Sequence, residues 1–564
     1  MTITPISVDS AGNQANRDSY TPSISADGRF VAFYSNASNL VPGDTNNRDD
    51  IFVRDTLTNT TTRVSVDSAG NQANSNSDSP SISADGRFVV FESFASNIVP
   101  GDTNNSNDIF VRDTLTNTTT GVSVDSAGNL GNRGSEGASI SANGRFVVFE
   151  SYASNLVPGD TNSSGDIFVR DLLTNTTTRA VDIASNPAFG SIFSDPFSIS
   201  ADGRFVAFES YASNIVPGDT NSSYDIFVRD TLTNTTTRVS VDSAGNQGNR
   251  GSNLASMSAD GRFVAFDSNS FNIVPGINIY DIFVRDTLTN TTTRVSVNSA
   301  GDPGNRDSRN PSISADGRFV AFSSYASNLV LGDTNSRQDI FVRDTLTNTT
   351  TRVSFDSAGN QTTSDSYAPS ISADGRFVAF NSIPSNLVPG QTNTTRQIFV
   401  ADNSSTPNVI NGTPGNDNLT GTSGSDIING SEGDDVLTGL RANDVLNGDD
   451  GNDILSGGKG SDTLNGGLGN DNLVGGGGND VFVLGAGLGV DTISDFTYSQ
   501  DTIQLINGLT FGQLSISPGT NGTLIRQAGS GEVLASLTGV ARNLIGSEDF
   551  IGCISLWKIY QVES

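Results

Sequence analysis

Residues 411–482 read as eight nonapeptides in tandem: NGTPGNDNL, TGTSGSDII, NGSEGDDVL, TGLRANDVL, NGDDGNDIL, SGGKGSDTL, NGGLGNDNL and VGGGGNDVF. Position two is Gly in every unit. Position seven is always Asp: Asp417, Asp426, Asp435, Asp444, Asp453, Asp462, Asp471 and Asp480. Position nine is always apolar, from Leu419 to Phe482. Each unit therefore predicts a Gly-rich turn, an Asp, and a very short strand whose apolar side chain points inward. Glycine supplies the positive φ that such turns need. The carboxylates then form a ladder that repels itself unless cations sit between the rungs. A hard cation with oxygen ligands fits, because each turn offers a carboxylate and main-chain carbonyls.

A flexible Gly/Asn/Asp linker is the plain alternative for such a composition. A linker has no reason to keep an apolar residue at every ninth position. The fourth unit departs from the pattern, since Leu440 and Arg441 occupy turn positions and Ala442 replaces a turn glycine. Its rung is the one expected to hold a metal least well.

These units resemble the RTX (haemolysin-type) calcium-binding repeat, whose pattern is GGxGxDxUx. The resemblance implies a parallel β-roll that takes up several Ca2+ ions through the eight aspartates. Downstream, Val490-Asp491-Thr492-Ile493-Ser494-Asp495-Phe496 and Asp501-Thr502-Ile503-Gln504-Leu505 resemble the segment that ends the roll in type I secreted bacterial proteins. Asp491, Asp495 and Asp501 would then be the last metal ligands or capping carboxylates. An ordinary capping strand pair explains them equally well, since repeat arrays need atypical ends.

Outward from this stretch, the totals narrow the function classes. The chain has 564 residues, room for roughly two to four domains. It carries 61 Asp and Glu against 31 Lys and Arg, a net charge of −30. That balance excludes a nucleic-acid footprint and an anionic membrane surface as expected partners. Residues 409–505 hold fourteen Asp and Glu432 against Arg441 and Lys459, a net of −13 in one sixth of the chain. There is no His, which removes His-based triads, His-containing zinc sites and His general bases. Cys553 is the single cysteine, so no intrachain disulfide forms. Met1-Thr2-Ile3-Thr4-Pro5 has no basic n-region and no apolar h-region, so no Sec-type leader is expected. No apolar run of about eighteen residues predicts a transmembrane segment.

A second repeat fills residues 1–402. The text SISADGRFVAF, or a close variant, begins at Ser23, Ser81, Ser139, Ser198, Ser256, Ser312 and Ser370, at spacings of 58, 58, 59, 58, 56 and 58 residues. Each copy reads as four short strands. The first is the Pro22-Ser23-Ile24-Ser25 type, followed by a tight turn at Asp27-Gly28. The second is Arg29-Phe30-Val31-Ala32-Phe33, apolar on both faces. A loop of the form NLVPGDTN leads to the third, Asp50-Ile51-Phe52-Val53-Arg54. Asn59 turns the chain, a residue suited to the left-handed region, and strand four is expected over 61–66.

Four strands per repeat at this period predict a β-propeller with one blade per repeat. Copy seven stops after its third strand. The N-terminal text Ile6-Ser7-Val8-Asp9-Ser10-Ala11-Gly12-Asn13-Gln14 repeats the strand-four text Val64-Ser65-Val66-Asp67-Ser68-Ala69-Gly70-Asn71-Gln72. The N-terminal strand should thus complete the last blade and close the ring, which removes the free edges. The repeat resembles the PD40/TolB-like propeller family, whose S-x-D-G-x-x-x-x-F core and following D-I-F-V both occur here.

The expected fold is all-β: a seven-bladed PD40-like propeller (1–402), a linker (403–408), an RTX β-roll (409–505), a C-terminal secretion and cap region (506–551) and an atypical tail (552–564). Residues 509–551 alternate in places and predict β-hairpins, then a short helical turn near 542–550.

Two propeller features are candidates for chemistry. One is the loop D-T-N-x-x-x-D, with Asp44, Asn46 and Asp50; Asp102, Asn104 and Asp108; Asp160, Asn162 and Asp166; Asp219, Asn221 and Asp225; Asp333, Asn335 and Asp339. Copy five lacks it at Gly276-Ile277-Asn278, and copy seven has Gln391 and Gln397. The oxygens at i, i+2 and i+6 suit a secondary calcium site. They equally suit an Asx-type turn whose last Asp opens strand three, and the lack of a regular Gly favours the turn. The other candidate is the residue after the strand-two Phe: Glu92, Glu150, Glu209 and Asp267 in copies two to five. A glycosidase needs two carboxylates about 5–9.5 Å apart; a solvated strand end is the plainer reading. Pairs such as Arg54-Asp55 read as exposed charges of little worth to stability.

The expected function is calcium binding by an extracellular protein, exported without an N-terminal signal through type I secretion machinery, as the resemblance implies. The propeller is expected to be a platform for an unknown protein or glycan partner, not an enzyme. A carbohydrate-active hydrolase or lyase, and a calcium-dependent adhesive surface protein, stand as alternatives.

Overall fold

The computed structural model describes residues 3–161, 164–181, 197–275, 279–356, 360–383, 386–388, 394–403, 408–421 and 425–551. The chain divides into two compact units, Met1–Asn403 and Ser404–Ser564. Among the described residues, no helix is long and apolar enough to cross a membrane.

The first unit is a seven-bladed propeller, seven antiparallel sheets of four strands each. Blade one consists of Ser19–Ile24, Phe30–Ser35, Asp50–Asp55 and Thr60–Arg63. The two middle strands are buried on both faces, which is why their text is apolar without alternation. Phe33 and Phe52 stack at 5.8 Å between ring centres, and the equivalent pair recurs in every blade at 5.5–6.0 Å. Each fully buried Phe contributes about 1.5–3 kcal/mol.

The Asp27-Gly28 turn fixes how blades meet. Gly28 has φ +76°, and a Cβ there would run into the ring of Phe377 in the preceding blade. Gly86 lies on Phe30 in the same way, and so on round the ring to Gly375 on Phe319. Only glycine allows both the dihedral and the approach. Ser23 Oγ then accepts the main-chain N–H of Ile82 in the next blade (3.2 Å), and Ser370 Oγ accepts that of Ile24 (3.2 Å), closing the circle.

The ring closes through the N-terminus as expected. Ile3–Pro5 pairs antiparallel with Gln397–Asp402, in the register Ile3↔Ala401, Thr4↔Val400 and Pro5↔Phe399. Pro5 is tolerated because this strand is an outer edge. Strand four is shorter than the expected 61–66. It ends at Arg63, after which Ser65 turns to donate to Asp50 Oδ1 (2.6 Å) and Val66 bridges to Gln72. Asn59 adopts φ +57°, as its turn position requires.

Arg54 and Asp55 correct the expectation of idle surface charge. Arg54 is buried and donates to the carbonyl oxygens of Asp9 and Asn59 and to Thr61 Oγ1. Asp55 accepts a bidentate pair from Arg29, at 2.9 Å from Nε and 2.7 Å from Nη2. The two neighbours in sequence point to opposite faces of the strand, so each finds its own partner.

The second unit is a parallel solenoid of two sheets. One sheet contains Asp426–Asn429, Val445–Asp450, Thr463–Leu468 and Val481–Leu484; the other contains Val436–Arg441, Ile454–Lys459 and Asn472–Gly477. Neighbouring strands pair at i and i+18, such as Leu446↔Leu464 and Leu455↔Leu473, so two nonapeptides make one turn. The position-nine residues Ile428, Leu446, Leu464 and Phe482 of one sheet and Leu437, Leu455 and Leu473 of the other are fully buried in one core between the sheets. Beyond the roll, Leu514–Pro518, Gly522–Gln527 and Val533–Thr538 form an antiparallel meander. Its last strand extends one roll sheet by pairing with Asp491–Ile493. Single 3-10 turns at Arg542–Leu544 and Ser547–Asp549 follow.

Candidate metal centre

Each position-seven aspartate sits where the turn enters a strand, and i/i+18 stacking places it above the aspartate one turn on. Oδ1 of each accepts the main-chain N–H of the aspartate one turn earlier: Asp417 N donates to Asp435 (2.7 Å), Asp426 to Asp444 (2.8 Å), Asp435 to Asp453 (2.7 Å), Asp444 to Asp462 (2.8 Å), Asp453 to Asp471 (2.9 Å) and Asp462 to Asp480 (2.9 Å). Strands stack at about 4.8 Å, so each edge of the roll carries a carboxylate at roughly that repeat.

The second oxygen is the informative one. Oδ2 of Asp435, Asp444, Asp453, Asp462, Asp471 and Asp480 is buried and has no hydrogen-bond partner. An ionised oxygen in that state costs several kcal/mol. Each Oδ2 lies against the position-two glycine of its own unit. The place a Cβ would take on Gly430 is filled by Asp435 Oδ2 and the carbonyl oxygen of Gly448, and on Gly448 by Asp453 Oδ2 and the carbonyl oxygen of Gly466. This explains why position two never varies. It also brings a carboxylate oxygen and a main-chain carbonyl oxygen to one place, the donor chemistry of a hard cation. No three His, Cys, Asp or Glu side chains converge among the described residues, so the remaining donors must be main-chain oxygens or water.

Burial raises the carboxyls of Asp444, Asp453, Asp462, Asp471 and Asp480. Asp444 is pushed up to about 8, and Asp453 and Asp462 to about 6, by desolvation first and then by the neighbouring carboxylates on the same edge. Asp480 is raised for the same reasons. Asp471 and Asp491 are both raised, by burial and, for Asp491, by its neighbour Asp471.

The ends of the ladder differ. Asp417 Oδ2 is already satisfied by Thr413, at 2.7 Å from its N–H and 3.0 Å from its hydroxyl. Asp501 accepts Asp480 N through Oδ1 (2.9 Å) and Thr497 N through Oδ2 (2.7 Å). Asp495 accepts Gly475 N and Gly476 N (2.9 and 2.8 Å), and Asp491 accepts Asp471 N (3.3 Å). The fourth unit keeps the arrangement: Asp444 stacks like its neighbours, while Leu440 and Ala442 hold φ of +81° and +71°.

Four of the propeller loops hold a cation already, an arginine of the same blade. Arg63 Nη1 lies 3.4 Å from Asp44 Oδ1 and 3.5 Å from Asp50 Oδ2, the place that the alternative reading of the loop gave to a secondary calcium. Arg179 does the same for Asp160 and Asp166, Arg238 for Asp219 and Asp225, and Arg352 for Asp333 and Asp339. Asn46, Asn104, Asn221 and Asn335 donate Nδ2 to the second aspartate of their loops. Asn162, Gln391 and Gly276-Ile277-Asn278 lie outside the described residues, as does the tail 552–564. The sequence hid these arginines because they lie about twenty residues downstream, on strand four.

The strand-two carboxylates are not solvated ends. Glu92, Glu150, Glu209 and Asp267 are all buried. Glu92 accepts Gly137 N (2.5 Å) and Asn107 Nδ2 (2.8 Å), and Glu209 accepts Leu254 N (3.1 Å), so both tie their blade to the next. Burial pushes Glu150 up to about 9 and Glu209 up to about 7.

Residues 411–446, 429–464, 447–482 and 456–493 match the family of the RTX calcium-binding nonapeptide repeat. This second unit therefore carries a calcium-binding repeat folded as a β-roll. Among solved structures the chain is similar to TolB from Acinetobacter baumannii, with 16% identity, 59% of this chain and 62% of that chain covered, and a TM-score of 0.32. It thus spans less than two thirds of that chain. It is also similar to the β-propeller domain of the Trilobed protease from Pyrococcus furiosus (11% identity, 68% and 95% covered, TM-score 0.42) and to an oligogalacturonate lyase from Vibrio parahaemolyticus (14%, 71% and 97%, 0.41). The count of seven blades rests on the strand pairing and not on these scores. Comparison with curated proteins gives no match.

Proposed function

We propose that this is an extracellular calcium-binding protein whose roll tightens on several Ca2+ ions and whose propeller presents a surface to a protein or glycan partner. The ions would be held by Asp435, Asp444, Asp453, Asp462, Asp471 and Asp480, each through Oδ2, with main-chain carbonyls such as those of Gly448 and Gly466. Asp417, Asp491, Asp495 and Asp501 would close the ends of the ladder, and Asp426 would share the edge of Asp444. The observation that carries this reading is the file of six buried Oδ2 atoms without hydrogen-bond partners.

Calcium at about 10⁻⁴–10⁻³ M suits sites of the extracellular-module class. Inside a cell the ladder would stay uncompensated and loose, which suits export before folding through type I machinery. A binding rather than catalytic role for the propeller is supported by Glu92 and Glu209, whose carboxylates are engaged in blade-to-blade hydrogen bonds.

Far-UV circular dichroism and calcium titration calorimetry on the full chain test the reading. Chelator should remove part of the β signal, and calcium should restore it with uptake of several ions. An unchanged spectrum with no measurable uptake contradicts it.

A further inference from the structure

Blade two departs from the other blades at two positions that touch one pair of buried acids. In blade one, Asp44 and Asp50 converge on a single guanidinium nitrogen of Arg63. Arg63 stands opposite Phe52 in the sheet register. In blade two the residue at that register, opposite Phe110, is Gly121, yet both acids remain as Asp102 and Asp108. Blade seven lacks the arginine too, with Pro5 opposite Phe399, but there Gln397 has replaced the second acid. Among the described residues, blade two keeps both acids with no arginine.

A second donor is missing as well. In blade four, Gln247 Nε2 donates to Asp219 Oδ1 and Asp225 Oδ2, both at 2.8 Å. Blade two has Leu130 at that place, with Gly121 beside it. Asp102 is 9% exposed, and its Oδ1 is buried with no hydrogen-bond partner. Asp108 is fully buried; Oδ1 accepts Ser123 Oγ and Oδ2 accepts Asn104 Nδ2, both at 2.8 Å. These are neutral donors, so when both carboxyls are ionised their charge is not compensated by the chain.

We propose that blade two binds one hard divalent cation of the calcium class between Asp102 and Asp108, in the place that an arginine guanidinium fills in blades one, three, four and six. Asp102 Oδ1 and Asp108 Oδ2 are the charged ligands. Asn104 lies beside them, and water completes the shell, as is usual for such ions. In blade one the guanidinium nitrogen is about 3.5 Å from each oxygen, and calcium needs about 2.3–2.6 Å, a shortening within reach of side-chain rotation. This site is independent of the roll.

The test counts ions bound to the full chain, by equilibrium dialysis against calcium and elemental analysis. Three proteins are compared: the parent, D102N/D108N, and G121R/L130Q, which restores the residues of blade one. Both variants should bind one ion fewer than the parent. In G121R/L130Q the supplied guanidinium should also protect the amides near Asp108 from hydrogen exchange without calcium. An unchanged ion count in folded G121R/L130Q overturns the site. Should that variant not fold, an unchanged count in D102N/D108N overturns it equally.

Discussion

In the propeller, Asp44 and Asp50 share Arg63, supplied by the strand that closes the same blade. In the roll, Asp453 faces the aspartates one turn above and below, and among the described residues no arginine or lysine reaches its Oδ2. Both units are repeat arrays and both bury carboxylates in most of their repeats. In blades one, three, four and six the propeller brings a covalent cation to the acid pair, so there the electrostatics are complete within the chain. The roll leaves the positive charge to the solution. Most of the first unit is therefore held by charges of its own, while the second depends on a dissolved ion along its whole ladder.

The largest effect that would sharpen this contrast is one of pH without calcium. Asp444 is raised to about 8, and Asp453 and Asp462 to about 6, by burial, from an unfolded value of roughly 4. A raised folded value means that the folded roll binds more protons than the unfolded one. Its stability is then full below about pH 4 on this term, and is lost as pH rises through 6 to 8. Calcium-free protein should show an ordered roll at pH 5 and a loosened one at pH 8.5, by hydrogen exchange of residues 435–482. Order that increases with pH would break the account.

Next in size is removal of a built-in cation. Arg352→Ala leaves Asp333 and Asp339 buried beside an empty place, at a cost of about 3–5 kcal/mol. Thermal unfolding of the propeller should fall accordingly. A loss under about 1 kcal/mol would show that the pair behaves like a surface ion pair.

A steric change in the roll comes third. Gly466→Ala drives a methyl into Asp471 Oδ2, so it should destabilise the calcium-bound roll by about 1–3 kcal/mol and weaken calcium uptake. An alanine tolerated with unchanged uptake would remove Asp471 from the ligand set. The smallest effect is a gain. Ala442 holds φ +71° where the equivalent of the next turn is Gly460, so Ala442→Gly should raise roll stability by about 1 kcal/mol.

Much of this was legible in the text. The 56–59-residue spacing and the N-terminal copy of the strand-four text gave seven blades and their closure, because a ring repeats its sequence once per blade. The inward file of Leu437 to Phe482 followed from an apolar residue at every ninth position. The partners of the carboxylates were not legible. Arg63 reaches Asp44 only once strand four folds back across the blade, and Gly137 meets Glu92 only across a blade interface. Such contacts carry no local signal. Glu92, Glu150 and Glu209 looked solvated for the same reason, since strand periodicity marks a face but not which neighbour covers it.

Region-resolved hydrogen–deuterium exchange on the full chain at neutral pH, with calcium and with chelator, tests the central claim most directly. The account predicts that amides of Asp435, Asp444, Asp453 and Asp462, which hydrogen-bond from rung to rung, lose protection when calcium is withdrawn. Amides of the propeller strands Phe30–Ser35 and Asp50–Asp55 should stay protected in both states. Equal protection of the roll with and without calcium would contradict it.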